Sequence, residues 1–284
     1  MRKMFNDRSA IHRIPALLAI FAIILSVLAL PAVAGEGEEA EMKPAFTRVG
    51  LWDIKRSSWG EFVEMYKAFD KPIMERLLAE GVISEYGIDS DVIHRPEGYT
   101  HSMWFTTDSM ADMARVYEAW DRAGEELGEE KRKEMDEKFE GMILKHRDYI
   151  LRSEHMKART AEVEHGYYHA SMFRVKKGEN RDFLSYYNNR WKSVCDELLA
   201  SGDIVAYGRT EEEIVTHKPG GVSVWYIVDS AAGLDTVRAA FEADWAKMDE
   251  EGRRARWTSI MEFVEEGSYR ENLTHIIHMG IKAR

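Results

Sequence analysis

The stretch "IKRSSWGEFVEMYKAFDKPIMERLLAEGVISEYG", residues 54–87, has a second version 121 positions later. That version is "VKKGENRDFLSYYNNRWKSVCDELLASGDIVAYG", residues 175–208. The two align without a gap and agree at 11 of 34 positions, among them Phe62/Phe183, Tyr66/Tyr187, Gly81/Gly202 and Tyr86/Tyr207. Beyond the pair the likeness continues. His94-Arg95-Pro96 answers His217-Lys218-Pro219, then Trp104 answers Trp225 and Asp108-Ser109 answers Asp229-Ser230. Near the C-terminus "RENLTHIIHM" (270–279) repeats "RDYILRSEHM" (147–156). Self-similarity of this length marks a tandem duplication of one supersecondary unit.

Each copy reads in the same order. "TRVGLWDIK" and "HASMFRVKK" alternate as strands. A helix follows in each; in the first copy Ser58-Trp59-Gly60-Glu61 has the form of a capping box and Gly81 the form of a stop. Two strands, about 82–94 and 99–107, flank a Pro-Glu-Gly turn. Asp108-Ser109 opens a second helix, a charged stretch at about 128–145 extends it, and a strand at about 149–157 closes the unit. The fold class expected is α+β, a tandem duplication of a βαββαβ ferredoxin-like module with sheet order 4-1-3-2. Each sheet carries helices on one face only. The two antiparallel sheets are therefore expected to pack face to face as an α+β barrel. The modules span 44–158 and 165–284, with 159–164 as linker.

Residues 1–34 stand apart from this pattern. Four basic residues precede an apolar run from Ile14 to Leu30, and Ala32-x-Ala34 follows, the layout of a cleaved secretory signal peptide. A retained N-terminal anchor is the rival reading. An acidic segment, 35–43, follows. The expected location is periplasmic or secreted, with no membrane association after cleavage. The segment 1–34 carries net +3, so the chain's −11 becomes −14 for the remainder. No basic stripe interrupts that acidity, so nucleic acid is not an expected partner. The lone Cys195 permits no intrachain disulfide and is expected to be a small buried apolar residue.

This duplicated arrangement resembles the dimeric α+β-barrel superfamily in its fused two-module form. That group includes antibiotic-biosynthesis monooxygenases, haem-degrading monooxygenases, NIPSNAP-like proteins and chlorite dismutases. The resemblance rests on topology and duplication, with no family-specific catalytic motif, and it implies a possible haem cofactor and assembly into homo-oligomers.

Candidate site residues come from where the copies agree and where they differ. Alternation puts His169 and His275 on the helix-facing side of adjacent strands, where the first copy has Arg48 and Arg152. Two imidazoles suit acid–base work or ligation, and two guanidiniums suit an anion. His278 and His217 are spare axial-ligand candidates. Trp104, Trp225, Tyr86 and Tyr207 are candidate ligand-contacting aromatics, against a plain reading as core. No metal signature, P-loop or nucleophile elbow is present. The leading expectation is an exported small-molecule-binding protein with its pocket between sheet and helices. The alternatives are a haem-dependent or cofactor-independent oxidoreductase or monooxygenase using the second module's histidines, and a structural or interaction protein without a pocket.

Overall fold

The computed structural model describes residues 44–94, 98–214 and 221–284, and within these all side chains but those of 255–261. The expected signal peptide, the acidic segment 35–43 and His217 lie outside the described residues. The first half runs β1 (Ala45–Ile54), α1 (Trp59–Ala68), α2 (Asp70–Glu80), β2 (Glu85–Asp91), β3 (His101–Thr107), α3 (Met110–Leu127), α4 (Glu129–Met142) and β4 (Ile143–Ala158). The second runs β5 (Ala161–Val163), β6 (Tyr167–Phe173), α5 (Asn180–Tyr186), a π-type stretch over Tyr187–Lys192, α6 (Ser193–Ser201), β7 (Ala206–Glu212), β8 (Val222–Val228), α7 (Ala231–Ala246), α8 (Glu250–Phe263) and β9 (Arg270–Ile281).

Strand order is β2-β3-β1-β4 in the first half and β7-β8-β6-β9 in the second, all antiparallel. The sheets do not merely face each other, as the sequence led us to expect. Their edges join. β4 pairs with β7 and β9 pairs with β2, so the eight strands close into one barrel. Strand length explains the closure. β4 has 16 residues against ten in β1; residues 151–158 pair with β7, and the last five of them, 154–158, run beyond the end of β1. Closure satisfies backbone groups that open edges would expose. Both seams bulge at matching places: Glu154 is passed over between Ser153 and His155, and Ile277 between Ile276 and His278. Each bulge reverses the sidedness of the residues after it.

Helices cover the outside. The helix expected as one piece in the first copy is two, α1 and α2, broken at Phe69. Pro72 explains the break, because its ring opposes the carbonyl of Ala68 and it donates no N–H. The expected capping box at Ser58 does not form, since Ser58 ends a short 3₁₀ turn at φ −109°, ψ 4°, away from the extended geometry a cap needs. Ser109 and Ser230 do cap, accepting from Asp112 N at 3.0 Å and Gly233 N at 3.3 Å. The span 159–164, expected as linker, carries β5, which pairs with the C-terminal end of β9. Cys195 is fully buried, in the place that Met74 fills in the first half.

Candidate functional site

Alternation along a closed sheet sends every second side chain inward. At one end of the barrel the interior is solid. Met156, Val163, Ala206, Ile227, Ile276 and Ile281 pack there as a buried cluster. Toward the other end, where the β2–β3 and β7–β8 hairpins turn, the interior opens into a cavity of about 810 Å³. Its walls come from β1–β4 and β6–β9 alike, so it lies between the two sheets. Between sheet and helices, where the site was expected, the first half holds a void of about 10 Å³, bounded among others by Arg48, Tyr66, Asp70 and Trp120.

Two tryptophans form the apolar faces of the cavity. Trp104 pairs in register with Gly87, and Trp225 with Gly208. Each indole lies across its glycine: a Cβ on Gly87 would sit 2.4 Å from Trp104 Cζ2, and one on Gly208 2.7 Å from Trp225 Cζ2. The absent side chains are what let the rings lie flat on the wall.

The polar groups are lopsided. β2 points Glu85, Asp89 and Asp91 inward. Glu85 Oε1 accepts from Thr106 Oγ1 at 2.6 Å, and Thr106 is 2.6 Å from Thr47 Oγ1. Glu85 Oε2 is buried with no hydrogen-bond partner from the protein. Asp89 accepts from Ser102 Oγ and, at 2.7 Å, from Thr274 Oγ1. Burial pushes the Glu85 carboxyl up and the Asp89 carboxyl up to about 7, in the second case against its hydrogen bonds and helped by the nearby Asp91. The second half has no buried acids here; Ala206 and Thr210 occupy the equivalent places. Tyr149 and Tyr168 line the same space, and burial raises both phenols, Tyr149 to about 12. Nearer the hairpin end stand Asp91, Glu212, Arg147 and Arg270, two repeat-related pairs of opposite charge. The cavity can hold a mostly apolar molecule between indoles and offer it carboxyl groups at depth.

Of the residues proposed from sequence, Trp104 and Trp225 line this cavity. The rest, His217 apart, face outward. His169 and His275 share the helix-facing side but in offset register: His169 is opposite Leu273, and His275 opposite Tyr167. His169 stacks on Tyr226 and His275 on His165, at centroid separations of 5.0 and 5.6 Å. Burial lowers both imidazoles. Arg48 and Arg152 already meet carboxylates of the protein: Asp148 for Arg48, and Glu154, Glu211 and Glu213 for Arg152. Tyr86 and Tyr207 lie under the helices, where Tyr86 OH is 3.0 Å from His278 Nε2 and Tyr207 OH donates to Asp196. The bulge at Ile277 brings His278 onto the outer face, whereas strict alternation placed it opposite to His275. These histidines are dispersed over the outside and already in contact with other rings, so they do not make one haem pocket, and no histidine is among the described cavity-lining residues.

The acids of β2 were missed because "EYGIDSD" alternates like an ordinary strand with one solvated face; closure turns that polar face inward. A usable signal did exist for the arginines. Arg147 and Arg270 open the two matching terminal stretches, at equivalent positions.

No protein-family model matches the chain, and no curated protein sequence does. Solved structures do. A "putative monooxygenase" from Lactobacillus acidophilus NCFM superposes at TM-score 0.56 and 10% identity, over 85% of this chain and 98% of that one. A second protein so described, from Fusobacterium nucleatum subsp. nucleatum ATCC 25586, superposes at TM-score 0.57 and 7% identity, over 84% and 95%. The chain shares the α+β-barrel fold of these proteins. At such low identity this likeness concerns architecture alone. Within its barrel this chain has an interior cavity, an indole pair and the buried acids of β2.

Proposed function

We propose that this protein binds a small molecule inside its barrel, a largely apolar, flat compound that carries a hydrogen-bond donor. One observation carries this reading: a cavity of about 810 Å³ whose indoles, Trp104 and Trp225, accompany a buried Glu85 oxygen that no protein group satisfies. A small turn of the Glu85 side chain toward the cavity would bring that oxygen to a ligand donor and remove a desolvation penalty of about 1–3 kcal/mol. Pockets of this volume with few, well-placed polar groups are typical of small-ligand sites. The test uses a naphthalene-sulfonate dye as probe. Saturable one-to-one binding is expected, with enhanced dye emission. Leu51→Trp, which fills the cavity from β1, is expected to reduce binding at least tenfold while the thermal transition stays cooperative. Equal binding by this variant and the parent would place the dye elsewhere and sink the proposal.

A second reading is an oxidoreductase of the monooxygenase type, working without haem. The two superposed proteins are each described as a "putative monooxygenase". In this chain the supporting feature is Asp89, a carboxyl held near 7 inside the cavity, suited to accept or return a substrate proton near neutral pH. We further infer that the two halves arose by duplication, that residues 1–34 are removed on export, and that the mature protein assembles into homo-oligomers. The repeated strand order, the matched bulges and the leader-like sequence support the first two. N-terminal sequencing of the mature protein, which should begin at Gly35, tests the export step.

A further inference from the structure

Outside the barrel the two seams are built on one plan but filled differently. At the β4–β7 seam His155 Nδ1 is 2.8 Å from Tyr187 OH. Beside it Asp196 receives Lys157 at 2.8 Å, Lys192 at 3.0 Å and the Tyr207 hydroxyl. One carboxylate there has two ammonium partners. At the β9–β2 seam the counterparts of His155, Asp196, Lys192 and Tyr207 are His278, Glu75, Lys71 and Tyr86. The counterpart of Lys157 is Gly280, opposite which β5 brings Glu162, with Glu164 nearby. This seam has lost a cation and gained two carboxylates.

We propose that Glu75, Glu162 and His278 bind a divalent transition-metal ion, which takes the place of the missing ammonium. One ligand atom from each of the three lies within 4.8 Å of the others. Ligands at about 2.0–2.2 Å from a tetrahedral ion stand roughly 3.5 Å apart, so the two exposed glutamates need to close by about 1 Å. His278 is only 2% exposed, and its Nδ1 has no hydrogen-bond partner. That nitrogen faces the acids, 3.9 Å from Glu162 Oε1 and 3.7 Å from Glu164 Oε1. Its other nitrogen is fixed by Tyr86, the outer hydrogen bond that metal-ligating imidazoles require. Burial and the Lys71 ammonium favour the neutral ring, the form that ligates. An imidazole with carboxylates suits Zn²⁺, Co²⁺ or Mn²⁺ more than Ca²⁺. Lys71, 3.5 Å from Glu75 and 3.8 Å from Glu162, competes with the ion for the same oxygens. The site is remote in kind from the barrel cavity and independent of the function proposed for it. No spacing motif announces it, because its ligands come from α2, β5 and β9.

The experiment is calorimetric titration of the chelator-treated protein with Zn²⁺, and with Co²⁺ to read the coordination in its visible spectrum. One ion per chain is expected. Glu75→Gln and Glu162→Gln, both at exposed positions, are each expected to weaken binding about tenfold or more. Lys71→Gln is expected to tighten it, and Glu154→Gln at the other seam to leave it unchanged. His278→Gln should abolish the imidazole signature of bound Co²⁺. Absence of binding up to about 1 mM Zn²⁺, or binding that ignores both Glu75→Gln and Glu162→Gln, overturns the proposal.

Discussion

Asp89→Asn is expected to make the protein more stable at pH 8 while leaving it nearly unchanged at pH 4. Asp89 lies 3% exposed in the barrel, and its carboxyl is raised by burial from the usual 3.8 to about 7. Below pH 4 both folded and unfolded chains hold this proton, so its ionisation does not affect stability. Between about 4 and 7 the folded protein keeps the proton and the unfolded chain has released it, so stability falls as pH rises. Above 7 the folded protein carries a buried anion and the loss is complete. A shift of about three units corresponds to a ceiling of about 4 kcal/mol. Asparagine does not titrate, and its amide can still serve the hydroxyls of Ser102 and Thr274, which rotate to suit. Urea unfolding of both proteins from pH 4 to 8 gives the comparison. The difference should grow in favour of the variant up to pH 7 and then level off. A flat difference would mean that Asp89 titrates alike in both states and is not held protonated by burial.

How much of this was legible in the sequence depends on what a pattern can encode. The likeness of the two halves was legible because Gly81/Gly202 and Tyr86/Tyr207 serve local needs, a helix stop and a core contact, in each half. Strand order within each half came from the same units. The barrel was expected from two sheets face to face, but the edge pairing that closes it was not legible, since it depends on the end of β4 meeting β7, a contact between distant stretches that alternation does not mark. The same gap hid the cavity. Without closure, nothing in the pattern marks Glu85 and Asp89, and Trp104 and Trp225 read as core ahead of a ligand platform. The bulge at Ile277 reversed one histidine, because a single extra residue defeats period-two counting. His169 and His275 drew notice as a difference between the copies, yet each stacks on a separate ring. The difference with chemical consequence lay elsewhere, in β2 and at Gly280.

Gly208→Ala is expected to be among the most destabilising single-methyl additions in the protein, at about 3 kcal/mol or more. Neither Gly208 nor Gly87 has positive φ, so backbone preference is not the reason. The reason is crowding. An added methyl at 208 would lie 2.7 Å from the carbonyl oxygen of His155, across the β4–β7 seam, and 2.7 Å from the Trp225 ring. The ring can swing toward the cavity, but the carbonyl is backbone of the neighbouring strand and moves only if the seam opens. At Gly87 the nearest atoms belong to side chains, Trp104 at 2.4 Å and Met279 Cβ at 2.9 Å. Gly87→Ala should therefore cost less, about 2 kcal/mol. The double variants separate the two causes. Trp104→Ala should relieve much of the Gly87→Ala penalty, giving a coupling energy of about 1 kcal/mol or more, whereas Trp225→Ala should relieve little of the Gly208→Ala penalty. Equal rescue at both sites would show that the rings alone set the spacing and that the seam yields freely. Unequal rescue would establish that the barrel is held shut where His155 and Gly208 meet, with the indoles displayed on a wall that cannot recede.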